Sequence, residues 1–133
     1  MNKYFLKKKV INILKINIHF INILFTFASS IKIMKKEILE RYTDKIVELF
    51  RVSKKDFFSK TKKKELVDAR QLLYFIAKDR QINVVYIQDY MIENGHDICH
   101  STIIHGINNV RDKVESDEDY NKIINNINRQ VSI

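Results

Sequence analysis

Three consecutive polar residues, His100, Ser101 and Thr102, stand where a helix is predicted to begin, and their side chains can donate and accept hydrogen bonds. Such side chains reach the edges of bases when a helix enters the major groove of DNA with its first turn leading. A shorter predicted helix and a polar connector precede them, so the pattern favours a helix-turn-helix. The alternative is a bundle that binds no nucleic acid, in which Ser101 serves as the helix N-cap.

A second group with binding chemistry is the basic stretch from Arg51 to Lys64. It holds seven basic residues, among them Lys60, Lys62 and Lys63, against one acid, Asp56. A local patch of cations of this kind can contact the phosphates of a nucleic acid. Taken without other support, the same stretch would be a solvated loop.

Catalytic and metal chemistry have little support in the residue types. Cys99 beside His100 is the one candidate nucleophile, and sequence neighbours at a helix start rarely form a catalytic pair. One cysteine and four histidines argue against a structural zinc site, and two glycines leave no phosphate-binding loop. We therefore predict a protein without enzymatic activity or cofactor. The lone cysteine excludes an internal disulfide and suits the reducing cytoplasm.

The body of the chain, from Met34 onward, repeats apolar residues at helical spacing, and no segment reads as a strand. This predicts an all-α fold, a small bundle of about five helices, with a short helical turn near Phe57. Ser53 and Asn83 are predicted helix caps, and Gly95 a helix stop. The side chains predicted to face the core are Ile38, Tyr42, Ile46, Leu49, Phe50, Leu66, Ala69, Leu72, Leu73, Ile76, Ala77, Val84, Val85, Ile87, Tyr90, Met91, Ile103, Ile104, Ile107, Val110, Val114, Tyr120, Ile123, Ile124 and Ile127.

Residues 1–33 differ from the rest in charge and apolar content. They carry six lysines and no acid, so they supply six of the eight net positive charges and leave the remainder at +2. A stripe of polar side chains at steps of three and four predicts an amphipathic helix; it consists of Asn12, Lys15, His19, Asn22 and Thr26. This extension has four open interpretations: membrane contact, pairing with a partner, an export signal, or translation that begins at Met34. We predict an extension over residues 1–33 and a domain over residues 34–133.

Three motifs, in order, resemble the C-terminal DNA-binding domain of the bacterial replication initiator DnaA, which has a Trp-repressor-like helix-turn-helix. They are LFRVSKKDFFSK at residues 49–60, ARQ at residues 69–71 and HSTIIH at residues 100–105. The family runs as a V-S-x-x-D-L turn, a basic loop, an A-R-Q helix and a D-H-S-T-V-L-H recognition helix. Order and approximate spacing agree from about Ile38 to Val114, so the resemblance implies a double-stranded DNA partner.

The resemblance also implies roles for individual residues. The His100 to Thr102 turn would face bases or nearby backbone in the major groove, and Lys62 would stand where the family places a minor-groove arginine. Arg70, Gln71 and Lys78 would hold phosphates and set the register on DNA. Without the resemblance, Arg70 and Lys78 would be taken as solvated helix faces. The predicted DNA-binding residues are therefore Lys60, Lys62, Lys63, Arg70, Gln71, Lys78, His100, Ser101 and Thr102.

The chain departs from the family pattern at three places. Cys99 replaces the acid before the recognition histidine, Lys62 replaces an arginine, and the connector is longer and holds Asp97. These departures imply a DNA target different from the initiator's own. The chain also has no nucleotide-binding motif, so we predict an isolated reader that regulates replication or transcription, with a replication initiator or another replication protein as a possible partner. The alternative is a protein-interaction adaptor that kept the fold and lost DNA binding.

Overall fold

A computed structural model describes residues 3–131, with side chains from residue 18 onward, and this range contains six α-helices and no strand. The all-α prediction is confirmed. The helices are α1 (Lys3–Phe50), α2 (Lys54–Phe57), α3 (Lys64–Asp79), α4 (Val84–Glu93), α5 (His100–Ser116) and α6 (Glu118–Val131). The chain divides into two units that meet at Met34 and Lys35, and α1 contributes to both.

The N-terminal unit is a helix whose backbone continues through Met34, where the charge pattern changes. Its described side chains are mostly exposed, and Phe25 leaves 73% of its surface to solvent. Of the predicted polar stripe, Asn12 and Lys15 lie outside the described side chains, whereas His19, Asn22 and Thr26 line one shallow groove. The helix from Ile18 to Phe50 is long and apolar enough to cross a membrane. Export signals and the core helices of soluble proteins can have the same length and composition. The boundary at residue 34 and membrane contact by residues 1–33 therefore stay predictions.

The C-terminal unit, residues 35–131, has α3 at its centre. All six side chains of α3 that were predicted to face the core are buried, because they recur at steps of three and four along one face. Five of them, all except Leu66, form one core cluster with Tyr42 and Ile46 of α1, Ile87 of α4, Ile103 of α5 and Ile127 of α6. α3 makes its most extensive contact with α5.

Three residues were wrongly predicted to face the core. Leu49, Val85 and Ile104 are 45%, 45% and 48% exposed. Each stands next to a residue whose side chain is buried or partly buried, so the apolar pattern was wider than the face that the neighbouring helices cover. Ile104 thus lies on the solvent side of α5.

The predicted ends of the helices are largely confirmed. The Ser53 side chain accepts a hydrogen bond from the Asp56 amide at 3.0 Å, and the Asn83 side chain accepts one from the amide of Val85. Gly95 ends α4 with a φ of +92°, a left-handed conformation that favours glycine. Two amides close the turn after α4: Gly95 donates to the carbonyl of Ile92 and His96 to that of Met91, both at 2.9 Å.

Two details of α5 differ from the prediction. Cys99, and not Ser101, is the N-cap residue, and it makes no side-chain bond to a helix amide. The acidic residues Glu115 to Asp119 were predicted to start the last helix, but α5 continues to Ser116 and α6 begins at Glu118. Both Ser101 and Thr102 therefore lie inside the first turn of α5.

Gly106 sets how closely α5 approaches α3. A Cβ atom at this position would lie 2.9 Å from Cγ of Gln71 and 3.1 Å from Cδ2 of Tyr74, both closer than side-chain carbons normally come. The absence of a side chain lets the two helices pack closely along the turn below the start of α5. The candidate site is built on this contact.

Candidate nucleic-acid interface

The basic loop, residues 59–63 between α2 and α3, presents three lysines to solvent. Lys60, Lys62 and Lys63 are all exposed, and none of them forms an ion pair within the described part of the chain. By contrast, Lys54 pairs with Glu40 and with Asp44, and Lys113 pairs with Asp68. The loop therefore keeps its positive charge available for an anionic partner.

The guanidinium of Arg70 donates hydrogen bonds to the backbone of this loop and of α2. Its Nε donates to the Phe57 carbonyl at 2.6 Å, Nη1 donates to that of Thr61 at 2.9 Å, and Nη2 donates to those of Ser59 and Asp56 at 2.7 and 3.3 Å. Burial of the side chain, which is 5% exposed, lowers its pKa. The four carbonyls replace water as partners of the buried cation.

Without the family resemblance Arg70 would be taken as part of a solvated helix face, but its side chain is buried. The side chain points into the protein, and four of its five N–H donors are already used by backbone carbonyls. The spacing of α3 allowed either placement, since Arg70 directly follows the buried Ala69. The side chain turns inward because the chain reverses after α2 and brings four backbone carbonyls within hydrogen-bonding distance of its guanidinium.

His96 connects the same loop to the connector before α5. Its Nδ1 lies 3.0 Å from the carbonyl oxygen of Ser59, which also accepts from Arg70. The connector is held at a second point, where Nε2 of Gln88 donates to the carbonyl of Ile98 at 2.9 Å. His96 was not among the residues predicted to form the site. The sequence signal that could have identified it is its position directly after Gly95, because the left-handed turn fixes the backbone direction at the next residue.

The first turn of α5 exposes the three residues that were predicted to read bases, His100, Ser101 and Thr102. The sulfur of Cys99 lies 3.3 Å from Oγ of Ser101 and 3.1 Å from Oγ1 of Thr102. Hydrogen bonds from these hydroxyls stabilise the thiolate and lower the pKa of Cys99 to about 7. At neutral pH the first turn of α5 thus carries a partial negative charge close to both hydroxyls.

A cleft of about 500 Å³ separates the basic loop from the start of α5. Five of the predicted site residues line it: Lys60, Lys62, Arg70, Gln71 and Thr102. The other lining residues are Thr61, Val67, Tyr74, His96, Asp97, Ile98 and Cys99. The fold therefore brings the basic loop, α3 and the start of α5 together around one cleft.

The remaining predicted residues are placed differently. His100 and Ser101 are on the same helical turn as Thr102 but do not line the cleft, and Lys63 stands at the N-cap of α3. Lys78 lies two turns beyond Gln71 on α3, beside a separate shallow pocket that Arg111 also lines. The exposed Ile104, one turn after His100, was missed because its apolar type suggested the core.

One known protein is similar to this chain in sequence. The chain is similar to the chromosomal replication initiator protein DnaA of Flavobacterium psychrophilum. The two are 30% identical over 107 residues, in an alignment that covers 77% of this chain and 21% of the initiator. This chain thus spans about a fifth of the length of the curated relative that it matches. No family model and no solved structure matches the chain.

The contacts of Cys99 lead to a testable pH dependence. We expect its alkylation rate to rise with a midpoint near pH 7, because the lowered pKa of about 7 makes the thiolate available there. The measurement is the rate of reaction with iodoacetamide between pH 5 and pH 10. Replacing both Ser101→Ala and Thr102→Val removes the hydroxyl donors, so the midpoint should move towards the ordinary thiol pKa of about 8.5. A wild-type midpoint already near 8.5 would contradict the hydrogen-bonded thiolate.

Proposed function

We propose that this chain binds double-stranded DNA in a sequence-specific manner, with the start of α5 in the major groove and the basic loop on the adjacent backbone or minor groove. One observation carries the proposal: the exposed first turn of α5, which holds His100, Ser101 and Thr102, contributes Thr102 to the cleft that Lys60 and Lys62 of the basic loop also line, and the three loop lysines form no ion pair among the described residues. Hydrogen-bonding side chains on a helix end supply base readout, and unpaired cations supply phosphate affinity.

The two helices before and at the site fit this proposal. Helices α4 and α5, joined by the connector, would form the helix-turn-helix, in which α5 is the recognition helix. The exposed Ile104 lies one turn after His100, on the same face, and its side chain can contact a thymine methyl group. Gln71 and Lys78 would hold phosphates beside the groove, and Arg70 would act through the loop that it holds.

The similarity to a replication initiator suggests the process that this binding serves. The relative is named as a chromosomal replication initiator, and we propose that this chain recognises DNA in the regulation of replication or transcription in the cytoplasm. A replication initiator is a candidate partner in that process. The cysteine at position 99, in place of an acid that accepts from a cytosine amino group, predicts a different preferred sequence.

The adaptor function remains the second candidate, and the surface of α4 favours it. Val85 and Ile92, seven residues apart on one side of α4, are each 45% exposed. Selection of bound sequences from a random pool of duplex DNA separates the two functions. A reproducible preferred sequence supports the DNA-binding proposal, whereas no enrichment over a scrambled pool favours the adaptor.

His100 provides the residue-level test of base readout. We expect His100→Ala to weaken binding to the selected duplex by about 5- to 100-fold, the equivalent of roughly 1–3 kcal/mol for one good base contact. Affinity for unrelated DNA should hardly change, because phosphate contacts dominate there. The measurement is fluorescence anisotropy on both duplexes, combined with a repeat of the selection.

A matched control lies on the same helix. His105 is exposed like His100, but it lies more than a full turn further along α5, and its Nε2 lies 3.3 Å from the amide nitrogen of Asn109. His105→Ala should therefore leave the preferred sequence unchanged. An unaltered preference in His100→Ala as well would remove base readout by this residue.

A further inference from the structure

The carbonyl of Ser59 is the point at which the basic loop and the helix-turn-helix meet. It accepts from Nη2 of Arg70 at 2.7 Å and faces Nδ1 of His96 at 3.0 Å. A carbonyl oxygen has two lone pairs, so it can accept from both groups. One donor comes from α3, which supports the loop, and the other comes from the connector that leads into α5.

The ring of His96 is oriented by its surroundings. Its backbone amide, directly after the left-handed turn at Gly95, donates a hydrogen bond to the carbonyl of Met91. Its side chain is half-buried. A carbonyl can only accept, so Nδ1 must carry the proton for this contact to be a hydrogen bond. Burial and the nearby charge of Arg70 lower the pKa of His96, so the neutral ring prevails at neutral pH.

We propose that His96 is a positioning residue for DNA binding, which sets the basic loop and the first turn of α5 in one fixed register. The inference rests on the proposed function, since the register matters for a partner that contacts both elements. His96 joins the loop at Ser59, and Gln88 holds the connector at Ile98, one residue before Cys99. The lysines and the base-reading residues are thereby ordered before DNA arrives, which lowers the entropic cost of binding.

The test compares three variants of the full chain on the selected duplex. His96→Ala should weaken binding by about five- to tenfold, as expected for one net hydrogen bond. His96→Asn places an amide donor close to the position of Nδ1 and should restore most of that loss. His105→Ala serves as the control histidine that does not touch the loop.

A double-mutant cycle provides a measurement that a general loss of stability would not move. In the wild type, Lys62→Ala should cost affinity and flatten the salt dependence of binding by roughly one ion. In the His96→Ala background the same lysine change should cost distinctly less, because the loop no longer has a fixed place relative to α5. Equal effects of Lys62→Ala in both backgrounds would overturn the proposal.

NMR measures the contact between His96 and the basic loop in the absence of DNA. Two-bond ¹H–¹⁵N correlation of the imidazole should show the proton of His96 on Nδ1, and backbone ¹⁵N relaxation should show Thr61 to Lys63 more mobile in His96→Ala than in the wild type. A proton on Nε2, or an unchanged loop, would refute the bond itself. If the wild type selects no DNA sequence while both NMR results hold, the proposed function is wrong, but the hydrogen bond between His96 and the loop is confirmed.

Discussion

Replacing Arg70 with methionine is expected to lower the free energy of unfolding by roughly 3–5 kcal/mol, because four backbone carbonyls of α2 and the basic loop would lose a charged donor. The side chain is 5% exposed and its bond to the Phe57 carbonyl is buried, so water cannot replace that donor without opening the structure around it. Small domains are stable by about 5–15 kcal/mol, so the variant would lose a large part of its margin. Urea denaturation followed by circular dichroism measures the change.

Two companion variants make the Arg70 result specific. Arg70→Lys keeps the charge but offers three donors on a single nitrogen, so it should recover only part of the stability. Lys78→Met removes an exposed cation from the same helix and should change stability by less than about 0.5 kcal/mol. If Arg70→Met unfolds at the same urea concentration as Lys78→Met, then the guanidinium does not hold the loop in solution.

The largest effect on binding is expected from the basic loop. Changing Lys60, Lys62 and Lys63 together to glutamine should flatten the slope of log affinity against log salt by roughly 2–3, since each phosphate contact releases close to one counterion. The three lysines have no ion pair among the described residues, so their loss should leave the fold intact. Affinity should fall for every duplex, whatever its sequence. Titrations at several salt concentrations provide the measurement.

A charge-matched control separates the loop from bulk charge. Changing Lys35, Lys45 and Lys122 to glutamine removes the same formal charge from α1 and α6, and none of these lysines lines the cleft. This control should leave the salt slope nearly unchanged. Equal slopes for the two triple variants would show that the loop makes no special contact with DNA and would favour the adaptor function.

The all-helical fold could be predicted from the sequence because its signals are local. Apolar residues at steps of three and four mark the helices, and the caps at Ser53 and Asn83 and the stop at Gly95 depend on neighbouring backbone only. For the same reason, the exposed first turn of α5 could be placed within one residue. The order of the motifs that resemble the initiator family could likewise be recognised from the sequence alone.

The sequence could not decide where the wide apolar faces end. Ile104 has the residue type of a core position, but no helix covers it, so it lies on the solvent side of α5. Covering a face requires knowledge of which helix packs there and at what distance. The close approach of α5 to α3 at Gly106 is such a distance.

The role of Arg70 was decided by the tertiary structure alone. Nothing in the local pattern distinguishes an arginine that meets phosphates from one that meets carbonyls, because both partners are oxygen atoms that accept from the same fork. The turn after α2 brings the carbonyls of Phe57, Ser59 and Thr61 to the guanidinium, and the connector adds His96 to the same cluster. The residues that could touch DNA were thus set by their types and order along the chain, whereas the residues that hold them in place depend on contacts between segments 13 and 37 positions apart.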